Sequence, residues 1–143
     1  MIVLDAYAVI ALLKGEPAAR EVHEIVTGGD CGLTTLGLAE VVDHLVRLVG
    51  ASEEDAVLDV AQLGLLPAVE LTESDAVAAA LLRARHYHRV TRAVSLADCV
   101  AAQVARRAGT ALATSDPHLL DLCQAERVGV VPLPDSGGDR WSP

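Results

Sequence analysis

The chain contains no phenylalanine, and aromatic residues make up 2% of its 143 positions. A core without large rings has to be assembled from Ala, Val, Leu and Ile, and packed helices suit those side chains better than a thin β-sandwich. Cysteine is also scarce. Cys31, Cys99 and Cys123 are odd in number and widely spaced, which excludes a disulfide framework and a zinc-type ligand pattern and suggests reduced thiols in a cytoplasmic protein. No apolar run reaches the ~18 residues of a membrane span, and the start lacks the basic region and cleavage site of a secretory signal, so a soluble protein without membrane association is expected. Lysine occurs once, and the net charge of −9 argues against gripping nucleic acid through a global positive field. There is no internal repeat and no interdomain linker. The length suits one domain, which at this size buries roughly 68–70% of its unfolded surface and needs no covalent staple. Residues 1–133 are read as that domain and 134–143, rich in Gly, Ser and Pro, as a flexible tail.

Against that background Asp5 stands out as the first charged side chain, set between the apolar runs Met1 to Leu4 and Ala6 to Leu13. A carboxylate at the end of a buried strand is strongly disfavoured unless a cation or several donors stabilise it, and no Lys or Arg precedes Lys14. A second strand-like run, Thr110 to Ala113, leads to Asp116 just before a helix signal at Pro117. Two parallel strands that both end in carboxylates project them into one crevice at the carboxyl edge of the sheet. Convergent carboxylates without a basic partner suggest a divalent metal. Mg²⁺ or Mn²⁺ is the expected ion, because hard ions prefer oxygen ligands and the five histidines form no cluster.

Periodicity and caps give the coarse organisation. A strand Ile2 to Asp5 is followed by a helix to Gly15 and a second from Pro17 to about Thr27. Cys31 to Leu33 is a strand or an extended lead into a helix capped by Thr34 or Thr35 and reaching about Val49. Ser52 opens a helix to about Leu66, and Ala68 to Leu71 reads as a strand. Thr72 caps a helix carrying Ala76, Val77, Ala80, Leu81 and Ala84 on one face, and Ser95 caps another that ends at Gly109. A strand Thr110 to Ala113, a helix from Pro117 to about Glu126 and a strand Val128 to Pro132 complete the chain. Helices alternating with and outnumbering strands predict an α/β fold with a small central parallel sheet flanked by helices.

Four acids are candidates for the chemistry: Asp5, Glu40, Asp98 and Asp116. Each has a structural alternative. Asp5 and Asp116 are good helix caps, the latter with proline at the first helical position; Asp98 completes a capping box with Ser95; and Glu40 shares a polar helix face with Asp43, His44 and Arg47. Their order carries more than any one of them. Met1-Ile2-Val3-Leu4-Asp5, Thr34 to Leu45 with Glu40, Ser95-Leu96-Ala97-Asp98 and Ala113-Thr114-Ser115-Asp116 occur in succession, and in this the chain resembles the PIN-domain ribonucleases, especially the VapC-type toxins of bacterial toxin-antitoxin pairs. The resemblance runs from Ile2 to about Leu133.

That resemblance implies a PIN-like three-layer α/β/α fold and a metal-dependent endoribonuclease, with Asp5, Glu40, Asp98 and Asp116 lining one pocket. Asp5 and Asp98 are expected to ligate Mg²⁺ (or Mn²⁺) directly, Glu40 and Asp116 directly or through water, with Thr114 and Ser115 in support. Cleavage by an activated water leaves 5′-phosphate and 3′-hydroxyl ends. It also implies a homodimer and a VapB-like cognate antitoxin that places a short helix and a basic side chain near the pocket. One position departs from the family pattern: Tyr7 stands where a Ser or Thr commonly follows the first Asp, so a catalytically silent PIN-like domain acting in RNA or protein binding is the alternative. Arg83, Arg85, Arg89 and Arg92 are the expected contacts to the RNA backbone, with Tyr87 available for stacking, or else a solvated helix end whose charges suit the dipole. Asp121 is read as a surface residue or an outer helper of the site. A haloacid-dehalogenase-type phosphotransferase is disfavoured, because no second Asp lies two residues after Asp5 and no Gly-rich phosphate loop is present.

Overall fold

Short apolar segments that end at a capping residue become the strands of this protein. The computed structural model describes residues 1–143. Its elements run β1 (Ile2–Leu4), α1 (Ala6–Lys14), α2 (Ala19–Thr27), β2 (Cys31–Leu33), α3 (Thr35–His44), a π-helical turn Leu45–Val49, α4 (Glu53–Ala61), α5 (Glu73–His86), α6 (Leu96–Ala108), β3 (Ala111–Thr114), α7 (Pro117–Ala125) and β4 (Gly129–Pro132). The four strands are all parallel in the order β2-β1-β3-β4, with Val3 opposite Gly32 and Leu112.

Alternation along the strands divides the interior in two. Leu4, Leu33 and Ala113 pack on one face of the sheet against Val9 and Ile10 of α1, Val22 of α2, Val41 of α3 and Val60 of α4. Val3 and Leu112 face the other way, against Leu82 of α5, Val104 of α6 and Leu119 and Leu122 of α7. The result is the expected three-layer α/β/α arrangement. Each fully buried Leu or Val contributes roughly 1.5–3 kcal/mol, so many small side chains replace the missing rings.

Local differences from the sequence reading have physical causes. Ala68 to Leu71 does not form a strand: Val69 alone bridges Thr34, because Pro67 lacks a donor on one side and the cap at Thr72 starts a helix on the other. The helix opened by Ser52 ends at Ala61 rather than near Leu66, since Gly64 adopts φ +74, a conformation that glycine takes without strain. The α5 face formed by Ala76, Val77, Ala80, Leu81 and Ala84 points outward, and the helix is buried instead through Asp75, Ala79 and Leu82. Beyond Leu133 no regular element forms, but Arg140 meets Glu21 and the Pro132 carbonyl, and Trp141 Nε1 donates to Asp121 at 2.8 Å. No helix is long and apolar enough to cross a membrane.

Strand order positions the site. From the adjacent central strands β1 and β3, the chain leaves in opposite directions, through α1 and α2 to β2 and through α7 to β4. In such sheets the crevice lies at the carboxyl ends of the two strands where direction switches. Asp5 directly follows β1, and Asp116 lies two residues beyond β3.

Candidate active site

Asp5 is built into the end of β1 as the cap of α1. Its Oδ1 accepts from the Ala8 backbone N–H at 2.7 Å, and its Oδ2 accepts from the Thr114 hydroxyl at the end of β3. The residue is 6% exposed. The same Thr114 oxygen accepts the Asp116 N–H at 3.1 Å, and Asp116 Oδ1 caps α7 by accepting from His118 N–H at 2.9 Å. Thr114 therefore ties the two strand-end acids together. On the neighbouring strand, Thr34 caps α3 in the same manner by accepting from Gly37 N–H at 2.9 Å. A Cβ on Gly37 would stand 2.8 Å from Leu33 Cδ1 and 3.2 Å from Thr34 Oγ1, so a larger residue at this close approach of α3 to β2 would displace the end of the Leu33 side chain and crowd the cap oxygen. That approach brings Glu40 over the crevice.

Asp5, Glu40 and Asp98 line one small depression together with Tyr7, Thr34 and Gly37. Asp116 and Ser115 lie on an adjoining, wider one of about 370 Å³, which Tyr7 also borders. Asp98 closes its capping box by accepting from Ser95 N–H at 2.9 Å, so the structural alternative for this residue is realised in the same side chain that faces the depression. The cap geometry of Asp5 and Asp116 is likewise present. Capping and site-lining are compatible because all these helix N-termini face the same edge.

The electrostatics are those of uncompensated acids. None of the four takes part in an ion pair anywhere in the molecule. Burial pushes the Asp5 carboxyl up to about 7 against the hydrogen bonds from Thr114 and Ala8, and the charges of Asp98 and Asp116 raise it further. Asp98 is raised by burial, opposed by its bonds to Ser95 and reinforced by Asp116. Glu40 is raised by burial and then by Asp98. The acids thus sense one another across the crevice.

The basic stretch is placed differently. Arg83 Nε donates to the Val94 carbonyl at 2.9 Å and its guanidinium lies 4.3 Å over the Tyr87 ring, so the residue expected to stack on bases already carries a cation. Arg85 pairs with Glu126 at 3.1 Å, and Arg92 donates to His86 Nδ1 at 2.7 Å. Arg89 alone has no partner and is exposed, on the turn between the bridged residues His88 and Arg92. His118, beside Asp116, accepts the Ala93 N–H through Nδ1 at 3.1 Å and so holds this turn against the site. Sequence reasoning marks Thr34 as a helix cap but not as part of the site, and it does not reach His118. For Thr34 a signal existed, since it follows a strand as Asp5 does.

A PIN-domain family model matches residues 2–125. The chain belongs to the PIN-domain family. PIN domains are generally nucleases. In fold, this PIN domain is similar to FitAcB from Neisseria gonorrhoeae (TM-score 0.65, 20% identity, covering 91% of this chain and 96% of that one). It is similar also to FitAB bound to an IR36 DNA fragment (TM-score 0.68, 21% identity, 92% and 94%). A third structural relative is VapBC2 from Rickettsia felis bound to a promoter DNA fragment (TM-score 0.67, 14% identity, 92% and 98%). No curated protein sequence is significantly similar to it.

Whether the residues suit a metal ion is decided by their chemistry and spacing. The donors are carboxylate oxygens, and a buried acid without a cation is what a hard divalent ion complements. No three Asp, Glu, His or Cys side chains stand close enough to close around a single ion. Mg²⁺ commonly takes one or two carboxylates and keeps several waters, so the donor set suits an ion held by few direct ligands; the depression itself has room for about one water, and the other waters would lie on its solvent side. Tyr7 does not fill the pocket. Its ring is 60% exposed, in T-shaped contact with His44 at 6.2 Å, and the hydroxyl that meets Asp5 comes from Thr114.

Proposed function

We propose that this PIN domain is a metal-dependent endoribonuclease, the toxin of a VapBC-type pair. The observation that carries the reading is Asp5: buried, without a cation, and facing Glu40 and Asp98 in the crevice between β1 and β3. Asp5 and Asp98 are the direct metal ligands in this reading, with Glu40 and Asp116 acting through water, since no three acidic side chains close around one ion. Bound Mg²⁺ or Mn²⁺ would supply an activated water for in-line attack on phosphorus and charge stabilisation for the leaving 3′-oxygen. Thr114 orients the Asp5 carboxylate by donating to Oδ2, and Ala8 N–H fixes its other oxygen, so the side chain enters the reaction in one rotamer. Arg89, exposed and without a partner on the turn that His118 holds, is the first contact for the RNA backbone in this reading.

Two outward apolar faces suit the two expected protein partners. On α4, Val57, Leu58 and Ala61 are ringed by Glu53, Glu54, Asp55 and Asp59, which repels a second copy of so acidic a chain and favours a basic amphipathic antitoxin segment. On α5 and α6, Val77, Leu81 and Leu96 are flanked by Arg83 and Arg85 and suit a homodimer. Complexes with partner proteins are what the FitAB and VapBC2 relatives form.

The test is cleavage of mixed cellular RNA in Mg²⁺ or Mn²⁺ against EDTA, with Asp5→Asn purified identically. Metal-dependent cutting by the unmutated chain, lowered on the order of a thousandfold or more in the variant, is expected. Product ends carrying a cyclic phosphate would sink the mechanism. The wide spacing of the acids favours one second reading, a silent PIN domain. In that case there is no cutting and no rise in unfolding temperature with metal.

A further inference from the structure

Tyr7 is one of only three aromatic residues in the chain, and its environment is unlike that of the other two. Trp141 is anchored to Asp121, and Tyr87 lies beneath the Arg83 guanidinium. Tyr7 sits between Ala6 and Ala8, which are 5% and 3% exposed and pack into the core, while its own side chain projects outward. The fold makes little use of the ring. Yet that ring borders three adjoining depressions: the acidic one with Asp5 and Asp98, one toward His44 and Arg47, and the wide one toward Asp116 and Ser115. Of these the last, about 370 Å³, lies in the roughly 300–1,000 Å³ range of small-molecule sites.

An exposed ring beside a site that acts on a phosphodiester has a natural ligand in the flanking bases. Bases present a π-face whatever their sequence, and stacking on an aromatic side chain is worth about 1–3 kcal/mol per base. We infer that Tyr7 is the stacking platform for the nucleobase next to the scissile phosphate, a positioning residue that holds single-stranded RNA across the acidic pocket. This rests on the ribonuclease reading. Unpaired bases are required, since a duplex hides the faces of its bases, so the substrate is a loop or single-stranded segment. The position where the family commonly carries a small hydroxyl residue is thereby used for substrate, while Thr114 supplies the hydroxyl to Asp5.

The experiment measures binding of a short single-stranded RNA of randomised sequence in Mg²⁺, in an Asp5→Asn background that prevents cutting. Tyr7, Tyr7→Phe and Tyr7→Ala are compared on that RNA and on a fully abasic strand of equal length. Tyr7→Ala should weaken RNA binding about 5- to 140-fold, Tyr7→Phe should restore it, and the abasic strand should bind all three alike. Retained affinity in Tyr7→Ala, or equal losses in Phe and Ala, would overturn the platform. So would a loss that the abasic strand shares. Cutting by the unmutated chain in Mn²⁺ is assayed in parallel. No cutting with the stacking pattern intact defeats the nuclease reading alone; cutting with the pattern absent defeats the platform alone; no cutting by the unmutated chain together with no RNA binding by any form defeats both.

Discussion

Two groups of acids in this molecule are treated in opposite ways. At α5 and α6, Asp75 is 0% exposed and receives Arg107 Nε at 2.9 and 3.2 Å to its two oxygens, while Thr72 and Gln103 donate as well. Glu126 nearby meets Arg85, His86 and Arg106. At the carboxyl edge, Asp5, Glu40, Asp98 and Asp116 meet no cation at all, although the chain has 11 Lys and Arg to distribute. A buried acid that is paired supports the fold; one left unpaired carries a desolvation cost, with a smaller repulsion from its neighbours, that a cationic ligand would relieve. The contrast separates structure from function more cleanly than burial does, because Asp5 and Asp75 are both buried.

The largest test of that contrast is Asp5→Asn in EDTA. A carboxyl at about 7 in the folded chain against an ordinary 3.8 corresponds to about 4 kcal/mol of destabilisation once it ionises. The folded state holds the proton more tightly than the unfolded one, so stability falls as pH rises from about 4 to about 7. The variant lacks this fall and should be the more stable form at pH 8, by urea unfolding, with the advantage vanishing near pH 4. A variant no more stable at pH 8 would mean that Asp5 is not strained by its surroundings.

Asp75→Ala should move stability the other way, by about 3 kcal/mol, since it leaves Arg107 and Gln103 without their acceptor and removes the half of the capping box that accepts from Thr72 N–H. Burial opposes ionisation of Asp75, but the bonds from Arg107, Thr72 and Gln103 outweigh it and hold the carboxyl below its usual range. The His86 and Arg85 contacts do the same for Glu126. Their contribution is therefore present above the ordinary carboxylate range and lost as pH falls through the lowered values, a slope opposite to that of Asp5. An Asp75→Ala protein with unchanged midpoint would erase the distinction between the two groups.

Much of this layout could be read from residues alone. Asp5 was conspicuous because it interrupts an apolar run, and the caps at Ser52, Thr72, Ser95 and Asp116 each start a helix as their spacing predicts. What sequence could not supply was long-range pairing. Nothing local distinguishes Asp75, which finds Arg107 thirty-two positions away, from the solvated acid of an ordinary cap, and nothing local commits Arg85 to Glu126. The stripe from Ala76 to Ala84 has core-like spacing, yet it faces outward because Asp75, Ala79 and Leu82 turn the other side of α5 to the interior. For Tyr7 the departure from a pattern is visible in sequence, but that its side chain turns outward is visible only in the structure.

Metal addition sharpens the comparison further. Mn²⁺ at a hundred times its dissociation constant should stabilise the unmutated chain by about 2.7 kcal/mol. Asp75→Ala should keep that increment, and Asp5→Asn should lose it, measured as the shift in urea midpoint with and without EDTA. Equal increments in all three proteins would place the ion elsewhere than the carboxyl edge.

The smallest effects lie among the arginines, which divide as the acids do. Arg85 is committed to Glu126 through a half-exposed pair, so Arg85→Ala should lower stability by less than about 1 kcal/mol. Arg89 has no intramolecular partner and projects from the turn that His118 holds beside Asp116, so Arg89→Ala should leave stability unchanged. It should instead flatten the dependence of RNA affinity on salt, by about 0.7 in the log–log slope for one lost phosphate contact on a single strand. An unchanged slope for Arg89→Ala, or a flattened one for Arg85→Ala alone, would move the RNA path from the turn to the helix end. The arginine that does least for the fold is the one the substrate should feel most.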